Sequence, residues 1–216
     1  MTIKQFTFNA LEENTFIAYD DSRDCIIIDP GCYDRLERDT LKGFVVENGL
    51  KVKMLINTHC HIDHVLGNYW VKNEFNVDLA IHKHDIGTLK ANEIVAPMYG
   101  FHAYESSEAD FFIEEGEQIK FGNSILDILY VPGHAPGHVA LVSERDKICI
   151  GGDVLFQHSI GRTDLPGGDF ETLMDSIRNK LFNLTDDTTV YCGHGPNTTI
   201  GHEKQYNPFC GINANY

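Results

Sequence analysis

The stretch Thr58-His59-Cys60-His61-Ile62-Asp63-His64 holds three imidazoles and one carboxylate within seven residues. It follows a short apolar run over residues 52–57 that predicts a buried strand. Imidazole is the commonest protein ligand for zinc and related metals, and carboxylate is its usual partner. A solvated polar loop is the alternative, but such a loop requires no concentration of metal-binding side chains. The sequence therefore predicts a metal site at the end of this strand.

The spacing within this histidine loop (residues 58–64) predicts two metal positions. His59 and His61 are two residues apart, so they face the same way from an extended strand end. Asp63 and His64 follow at the start of the next helix, where they can face a second position. One loop can therefore serve two adjacent ions.

Candidate ligands follow apolar strands four times along the chain, at the histidine loop, His134, Asp153 and His194. A glycine comes directly before each of the last three, and glycine lets the backbone turn tightly enough to aim the next side chain inward. Strand ends on one edge of a sheet system converge, so we expect these side chains to meet in one site. Asp29, at another strand end, either supports the histidine loop or is a simple turn residue.

Composition predicts one globular domain with an acidic surface. The chain has 216 residues, of which 42% are hydrophobic, and we expect a single domain over residues 1–216. The formal net charge of −15 disfavours a nucleic-acid partner, because phosphate backbones bind basic patches. A small anionic substrate remains compatible, since bound metal ions invert the local field.

Location and redox state follow from what the chain contains. No apolar run approaches membrane-spanning length, and the first residues lack the apolar stretch of a secretory signal, so we expect a cytoplasmic protein without a membrane partner. Scattered cysteines without a CxxC pair indicate reduced, mostly buried thiols. Cys60 and Cys192 lie beside predicted ligands, and we expect both to be small apolar filler.

Periodicity and turn signals predict the main elements. A helix over residues 34–48 is expected to end before Gly49, and Asp169 is the expected N-cap of an amphipathic helix. Residues 86–104 read as helices and a loop that can roof a pocket. The predicted strands are 3–8, 15–19, 25–28, 52–56, 78–81, 124–131, 139–143, 147–150 and 188–191.

As a set, these residues resemble the metallo-β-lactamase superfamily. The matching elements are HxHxDH in the histidine loop, His134 in Pro-Gly-His-Ala-Pro-Gly-His, Asp153 in Gly-Gly-Asp and His194 in Gly-His-Gly-Pro. The match spans nearly the whole chain in the expected order. It implies an α/β (α+β) fold, a four-layer αββα sandwich with the metal site along one edge.

The resemblance assigns ligands to two ions. It gives the first ion His59, His61 and His134, gives the second Asp63, His64 and His194, and makes Asp153 the bridge. The true β-lactamases of the superfamily usually carry cysteine where Asp153 stands, so lactam hydrolysis is not expected here.

Within the superfamily, the chain is similar to glyoxalase II and its short bacterial relatives. Residues 161–168 (GRTDLPGG), 199–203 (TIGHE) and 207–209 (NPF) carry this similarity. It implies a thioester hydrolase of the hydroxyacylglutathione hydrolase type. Full glyoxalase II has a C-terminal helical domain that helps to hold glutathione, whereas 22 residues follow His194 here, so the thiol carrier is left open.

The resemblance also implies the chemistry. Two Zn²⁺ per chain would share a hydroxide that attacks the carbonyl, because bound cations lower the pKa of water; iron or manganese suit the same donors. Asp63, Asp153 and the hydroxide offset three of the four positive charges, and the remaining charge would stabilise an oxyanion and attract an anionic substrate. Asp63 and Asp153 are therefore the expected catalytic carboxylates.

Two alternatives remain open for the function. The stretch Gly161-Arg162-Thr163-Asp164 is shared with the persulfide dioxygenases, which use one iron. A superfamily hydrolase with a different ester or thioester substrate is the other alternative.

Other polar residues have weaker signals. Arg162 is a candidate at the mouth of the site for orienting its own loop or the substrate, with an ion pair to Asp164 as the alternative. His138 is expected to have a supporting or structural role. The remaining histidines lack the strand-end context and are expected on the surface or in packing; they are His82, His84, His102, His158 and His202. The alternative is that His102 or Tyr99, on the segment that can roof a pocket, touches substrate.

Overall fold

The computed structural model describes residues 1–214. Its strands are β1 (Thr2–Phe8), β2 (Glu13–Tyr19), β3 (Asp24–Ile28), β4 (Lys51–Ile56), β5 (Leu79–Ile81), β6 (Phe111–Phe112), β7 (Gln118–Phe121), β8 (Ser124–Tyr130), β9 (Val139–Ser143), β10 (Ile148–Gly152), β11 (Leu155–Phe156), β12 (Ser159–Ile160), β13 (Thr189–Cys192) and β14 (Thr198–Thr199). The α-helices are α1 (Arg35–Glu47), α2 (Ile62–Val65), α3 (Asn68–Phe75), α4 (Ile86–Met98), α5 (Phe170–Asn179) and α6 (Ile200–Tyr206). Single turns of 3₁₀-helix occupy Lys83–Asp85 and Leu181–Asn183.

The described chain divides into two compact units. The first unit comprises residues 1–113 and 119–125, and the second comprises 114–118 and 126–214. The first unit contains a six-stranded sheet of order β1-β2-β3-β4-β5-β6. Strands β1, β2 and β3 pair antiparallel, whereas β3, β4, β5 and β6 pair parallel.

Strands β3 and β5 are the most deeply buried of the parallel strands in the first unit. Residues 25–28 of β3 are all fully buried, as a continuous apolar run in a parallel sheet should be. Helix α1 connects β3 to β4 and buries Leu41 and Val45 in the core of this unit. A capping box starts the helix: Asp34 accepts from the Glu37 backbone N–H, and Glu37 accepts from the Asp34 backbone N–H.

The second sheet has the order β14-β13-β10-β9-β8-β7, and its strands β9, β10, β13 and β14 lie wholly in the second unit. The β10–β13 pair is parallel, and α5 lies between the two strands in the chain. Asp169 caps α5 by accepting from the Thr172 backbone N–H, as predicted. Helix α5 buries Leu173, Met174 and Ile177 in the core of this unit. A separate antiparallel hairpin, β11–β12, follows β10.

The predicted strands and helices are confirmed with small shifts at their ends. Helix α1 ends at Glu47 with Gly49 at φ 60°, and α4 occupies residues 86–98 of the segment expected to be helical in part. The sequence prediction did not include β6, β7, β11, β12 or β14. Four of these have two residues each, too few to show an alternating pattern. Across residues 1–214, no helix combines the length and apolarity needed to cross a lipid bilayer.

Candidate metal centre

The histidine loop forms a compact group of ligand-type side chains in the first unit. It runs from the end of β4 into α2. The ring centroid of His59 lies 4.8 Å from that of His61 and 4.1 Å from that of His64, and His64 Nε2 lies 3.8 Å from Asp63 Oδ2. The members of this first cluster are His59, His61, Asp63 and His64. The structure thus brings together all four residues that the loop was predicted to supply.

Asp29 supports the first cluster through hydrogen bonds to Thr58 and His64. Its carboxylate is fully buried and accepts from the Thr58 backbone N–H at 2.6 Å, from Thr58 Oγ1 at 2.5 Å and from His64 Nδ1 at 3.2 Å. Asp29 has φ 48°, a left-handed conformation that aspartate tolerates better than most residues. Of the two interpretations left open, support of the loop is therefore confirmed.

The hydrogen bonds of this group fix which ring nitrogen carries a proton. Thr58 Oγ1 gives its only proton to Asp29, so at 3.2 Å it accepts from His59 Nδ1–H. His64 Nδ1 likewise donates to the Asp29 carboxylate. Both imidazoles then present Nε2 with a lone pair, which is the form that binds a metal ion.

Glu13 is a member of this environment that sequence reasoning missed. It is fully buried in β2, its Oε1 lies 3.9 Å from His64 Nδ1, and its Oε2 accepts from Thr15 Oγ1. Burial raises the pKa of Glu13 well above its usual range, although the neighbouring His64 acts in the opposite direction. Its sequence neighbours Glu12, Asn14 and Thr15 are polar, so no local signal marks Glu13 as buried.

The second unit holds a second cluster, made of His134, Asp153 and His194. Asp153 Oδ2 lies 3.6 Å from His134 Nε2 and 3.5 Å from His194 Nε2. Both separations exceed normal N–H···O hydrogen bonds. They are close to the distance of about 3.3 Å between two ligand atoms that each sit 2.0–2.1 Å from a tetrahedral ion. Each of the two pairs therefore has the spacing of metal ligands, and one carboxylate oxygen faces both imidazoles.

Backbone contacts orient the second cluster. His134 Nδ1 lies 2.8 Å from the Arg162 carbonyl oxygen, which can only accept, so Nδ1 carries the proton and Nε2 has the lone pair. His138 Nε2 accepts from the Asp153 backbone N–H at 3.0 Å, which makes His138 a structural support, as expected. Gly161 permits this arrangement, because a Cβ there would overlap the Asp153 carbonyl oxygen and approach the His134 ring to 3.1 Å.

The Arg162 side chain forms the ion pair that was its alternative role. Its Nε and Nη2 atoms donate to both carboxylate oxygens of Asp164, at 2.7 and 2.8 Å. This hydrogen bonding lowers the pKa of Asp164 to about 2. Both side chains are more than half exposed. The pair orients the loop whose backbone holds His134, and a role of Arg162 towards substrate stays a prediction.

Burial disfavours the thiolate form of the cysteines. All six are free thiols and all are buried, as predicted. Burial raises the pKa of Cys192 to about 12 and that of Cys60 well above its usual value. Cys60 instead contributes its backbone, which donates to Asp85 and accepts from Asn92. Imidazole and carboxylate groups are therefore the candidate metal ligands of the two clusters.

Comparison with known proteins identifies the family. A family model described as the metallo-beta-lactamase superfamily matches residues 10–194. The chain belongs to this superfamily. Hydroxyacylglutathione hydrolase GloC of Haemophilus influenzae is 38% identical over 211 residues, which cover 97% of this chain and 98% of GloC.

Solved structures of the superfamily show the same fold. The BLEG-1 B3 metallo-beta-lactamase superposes with a TM-score of 0.88 at 32% identity, covering 97% of this chain and 99% of that one. TTHA1623 in a di-iron-bound form superposes with a TM-score of 0.83 at 31% identity, covering 95% and 99%. The predicted metallo-β-lactamase fold and superfamily membership are thus confirmed. The chain is a metallo-hydrolase that binds divalent metal and acts on a small-molecule substrate.

Proposed function

We propose that this protein hydrolyses a small anionic thioester, and that its two clusters work as one binuclear centre within a single domain. The observation that carries the proposal is the position of Asp153, whose Oδ2 faces the ring nitrogens of both His134 and His194 at ligand-to-ligand distances. A carboxylate oxygen shared in this way is suited to bridging two ions. The similarity to a hydroxyacylglutathione hydrolase over nearly the full chain supports a thioester substrate.

The proposed ligand sets follow the sequence prediction. His59, His61 and His134 would hold one ion, Asp63, His64 and His194 would hold the other, and Asp153 would contact both. When bound, two divalent cations supply Lewis acidity that lowers the pKa of a water molecule and polarises a carbonyl group. Zinc is our proposal; iron and manganese suit the same donors, and the similar TTHA1623 structure is described in a di-iron form.

The chain's own residues set up this centre. The Nδ1–H groups of His59, His64 and His134 each have a fixed acceptor, so each ring is held in one orientation. Asp63 and Asp153, the proposed catalytic carboxylates, leave part of the cationic charge uncompensated for an anionic substrate. The side chain of His194 is 28% exposed, which leaves the second cluster accessible to a ligand.

The leaving group needs little help from the protein. A thiolate departs without strong acid assistance, because its conjugate acid is already fairly acidic. The buried thiols with raised pKa argue against a covalent cysteine intermediate. Reduced cysteines throughout also support a cytoplasmic location, which we propose for this protein.

Hydrolysis of S-D-lactoylglutathione by purified, metal-loaded protein tests the proposal. We expect Asp153→Ala and His134→Ala each to lower kcat/KM by at least about a hundredfold. The matched control is His84→Ala, which removes an exposed histidine from outside both clusters and outside the roof segment 86–104. Unchanged thioester hydrolysis in Asp153→Ala and His134→Ala would overturn the proposal.

A parallel assay separates the alternative. Oxygen uptake by iron-loaded protein with glutathione persulfide, without thioester hydrolysis, would instead support a dioxygenase.

A further inference from the structure

A third group of metal-binding side chains lies in the second unit and shares no member with the two clusters. It consists of His158, in the turn between β11 and β12, and of His202 and Glu203 in the first turn of α6. His158 Nε2 lies 2.6 Å from His202 Nε2, and the two rings stack at 4.8 Å with an interplanar angle of 24°. One ligand atom from each of the three residues lies within 4.8 Å of the others.

The backbone around this group is already held in place. Glu203 is fully buried; its Oε2 accepts from the His158 backbone N–H at 2.9 Å and from Asn207 Nδ2 at 2.8 Å, and its Oε1 accepts from Thr198 Oγ1 at 2.5 Å. The hairpin turn and the start of α6 are therefore tied to one carboxylate. The two imidazoles meet at the surface above it, where His158 is exposed and His202 is 37% exposed. A pre-positioned pair of this kind loses little conformational entropy when it binds an ion.

The local charges favour a cation. Within residues 1–214, Glu203 has no ion pair with lysine or arginine, and the basic side chains near it are the two imidazoles, of which His202 Nε2 lies 4.0 Å from Oε1. A buried carboxylate is costly without a compensating charge. A metal ion on the two imidazoles would place that charge directly beside it.

The distances allow this with a small adjustment. At 2.6 Å, one Nε2 donates a hydrogen bond to the other, so one ring already presents a lone pair. Two imidazole nitrogens on a tetrahedral Zn²⁺ are about 3.3 Å apart, because each Zn–N bond is 2.0–2.1 Å. The rings must therefore separate by less than about 1 Å, which rotation of surface side chains can supply. The ring that now donates from Nε2 would move its proton to Nδ1.

We propose that His158 and His202 bind a divalent transition-metal ion such as Zn²⁺, with Glu203 completing the site as a ligand or as the adjacent counter-charge. The ion would clamp the β11–β12 hairpin to α6. That hairpin lies between Asp153 and Gly161, the residue that makes room beside His134. Occupancy is therefore expected to stiffen a segment that flanks the second cluster. This inference does not rest on the proposed function.

A calorimetric titration with Zn²⁺ tests the site. The metal-loaded protein is first dialysed to remove loosely held ions, and Zn²⁺ is then titrated in by isothermal calorimetry. We expect one additional Zn²⁺ per chain in the wild type, and at least about a tenfold loss of affinity in His158→Ala and in His202→Ala. Both substitutions remove surface rings, so circular dichroism should show unchanged folding. His102→Ala is the matched control and should retain the additional ion. Thermal unfolding gives a second readout, since added Zn²⁺ should raise Tm in wild type and not in His202→Ala.

Two results would overturn the inference. One is the absence of an additional equivalent in the wild type. The other is an additional equivalent whose affinity is the same in His158→Ala, His202→Ala and wild type, because the ion would then bind elsewhere.

Discussion

At the scale of single residues, the protonated ring nitrogen of each histidine determines how its imidazole is oriented in the clusters. His59, His64 and His134 each donate from Nδ1, to a hydroxyl, a carboxylate and a backbone carbonyl respectively. Each contact selects one tautomer and leaves Nε2 as the ligand atom. Asp29 governs two of the three, directly through His64 and through Thr58 for His59. Replacement of Asp29 should therefore affect metal binding although Asp29 is not among the proposed ligands.

Substitution of Asp29 tests this. An amide has one accepting oxygen, so Asp29→Asn cannot accept from the Thr58 backbone, the Thr58 hydroxyl and His64 as the carboxylate does. We expect metal affinity to fall about 10–100-fold, as for other residues that orient ligands. Competition with a chromophoric chelator measures the metal affinity. Asp21→Asn, at the exposed surface, is the control. Equal affinities in the two variants would contradict the role given to Asp29.

At the scale of elements, caps and turns fix where helices and strands start. Helix α1 begins at a capping box in which Asp34 and Glu37 satisfy each other's backbone N–H groups. In the same unit, Asp20 follows β2 and accepts from the Asn123 backbone N–H and from Ser124 Oγ, both at 2.7 Å. Each of these aspartates makes specific hydrogen bonds that alanine or asparagine cannot reproduce in full.

Removal of the α1 cap should destabilise the protein. Asp34→Ala leaves an N–H at the helix start without its acceptor, and the expected loss is about 1 kcal/mol in the free energy of unfolding. Asp39→Ala is the control within the same helix, since its exposed pair with Arg35 is worth about 0.3–0.5 kcal/mol. Urea unfolding at fixed metal concentration compares them. A cost for Asp34→Ala no larger than that for Asp39→Ala would argue against the cap.

Asp20 should make stability depend on pH in the acid range. Burial raises the pKa of Asp20, but hydrogen bonds from Ser22, Ser124 and Asn123 outweigh it and lower the pKa from 3.8 to about 2. A carboxyl group whose pKa is lower in the folded state stabilises the fold above its unfolded pKa, and that contribution is lost as pH falls from about 3.8 towards 2. The difference in urea midpoint between wild type and Asp20→Asn should therefore be larger at about pH 5.5 than at about pH 3. A difference that does not change with pH would contradict this.

Local sequence patterns predict some helices and strands of this fold and not others. The long strands and α1 and α5 were predictable, because apolar periodicity and capping residues mark them locally. The two-residue strands were not, because pairing partners rather than local pattern create them. The clustering of the candidate ligands was predictable from their strand ends, whereas the supports Glu13 and Thr58 required the structure. The contact between His158 and His202 joins residues 44 apart in the sequence, and neither lies at a strand end that could have signalled it.

At the scale of the whole molecule, an acidic protein concentrates histidines and buried carboxylates at its proposed metal centre. The formal net charge is −15, and Asp29 and Asp153 are both buried beside imidazoles. A bound cation compensates these carboxylates, and removal of the cation leaves them with weaker partners. Metal binding should therefore contribute to the stability of the fold as well as to activity.

Chelation should lower the thermal stability of the protein. An ion that binds only the folded state stabilises it by about 4 kcal/mol when its concentration is a thousandfold above Kd. We expect Tm to fall by several degrees after dialysis against a chelator and to recover when Zn²⁺ is added. Differential scanning fluorimetry measures both steps, with His102→Ala behaving as wild type. An identical Tm for metal-free and metal-loaded protein would contradict this linkage.

Metal stoichiometry tests whether the two clusters of one chain form one binuclear centre, as we propose. Elemental mass spectrometry should be done on His202→Ala protein, which lacks the third site proposed above, purified without chelator. We expect two metal ions per chain, mainly zinc, and a lower content when Asp153→Ala is added. One ion per chain, or two ions per chain that are unaffected by Asp153→Ala, would contradict it.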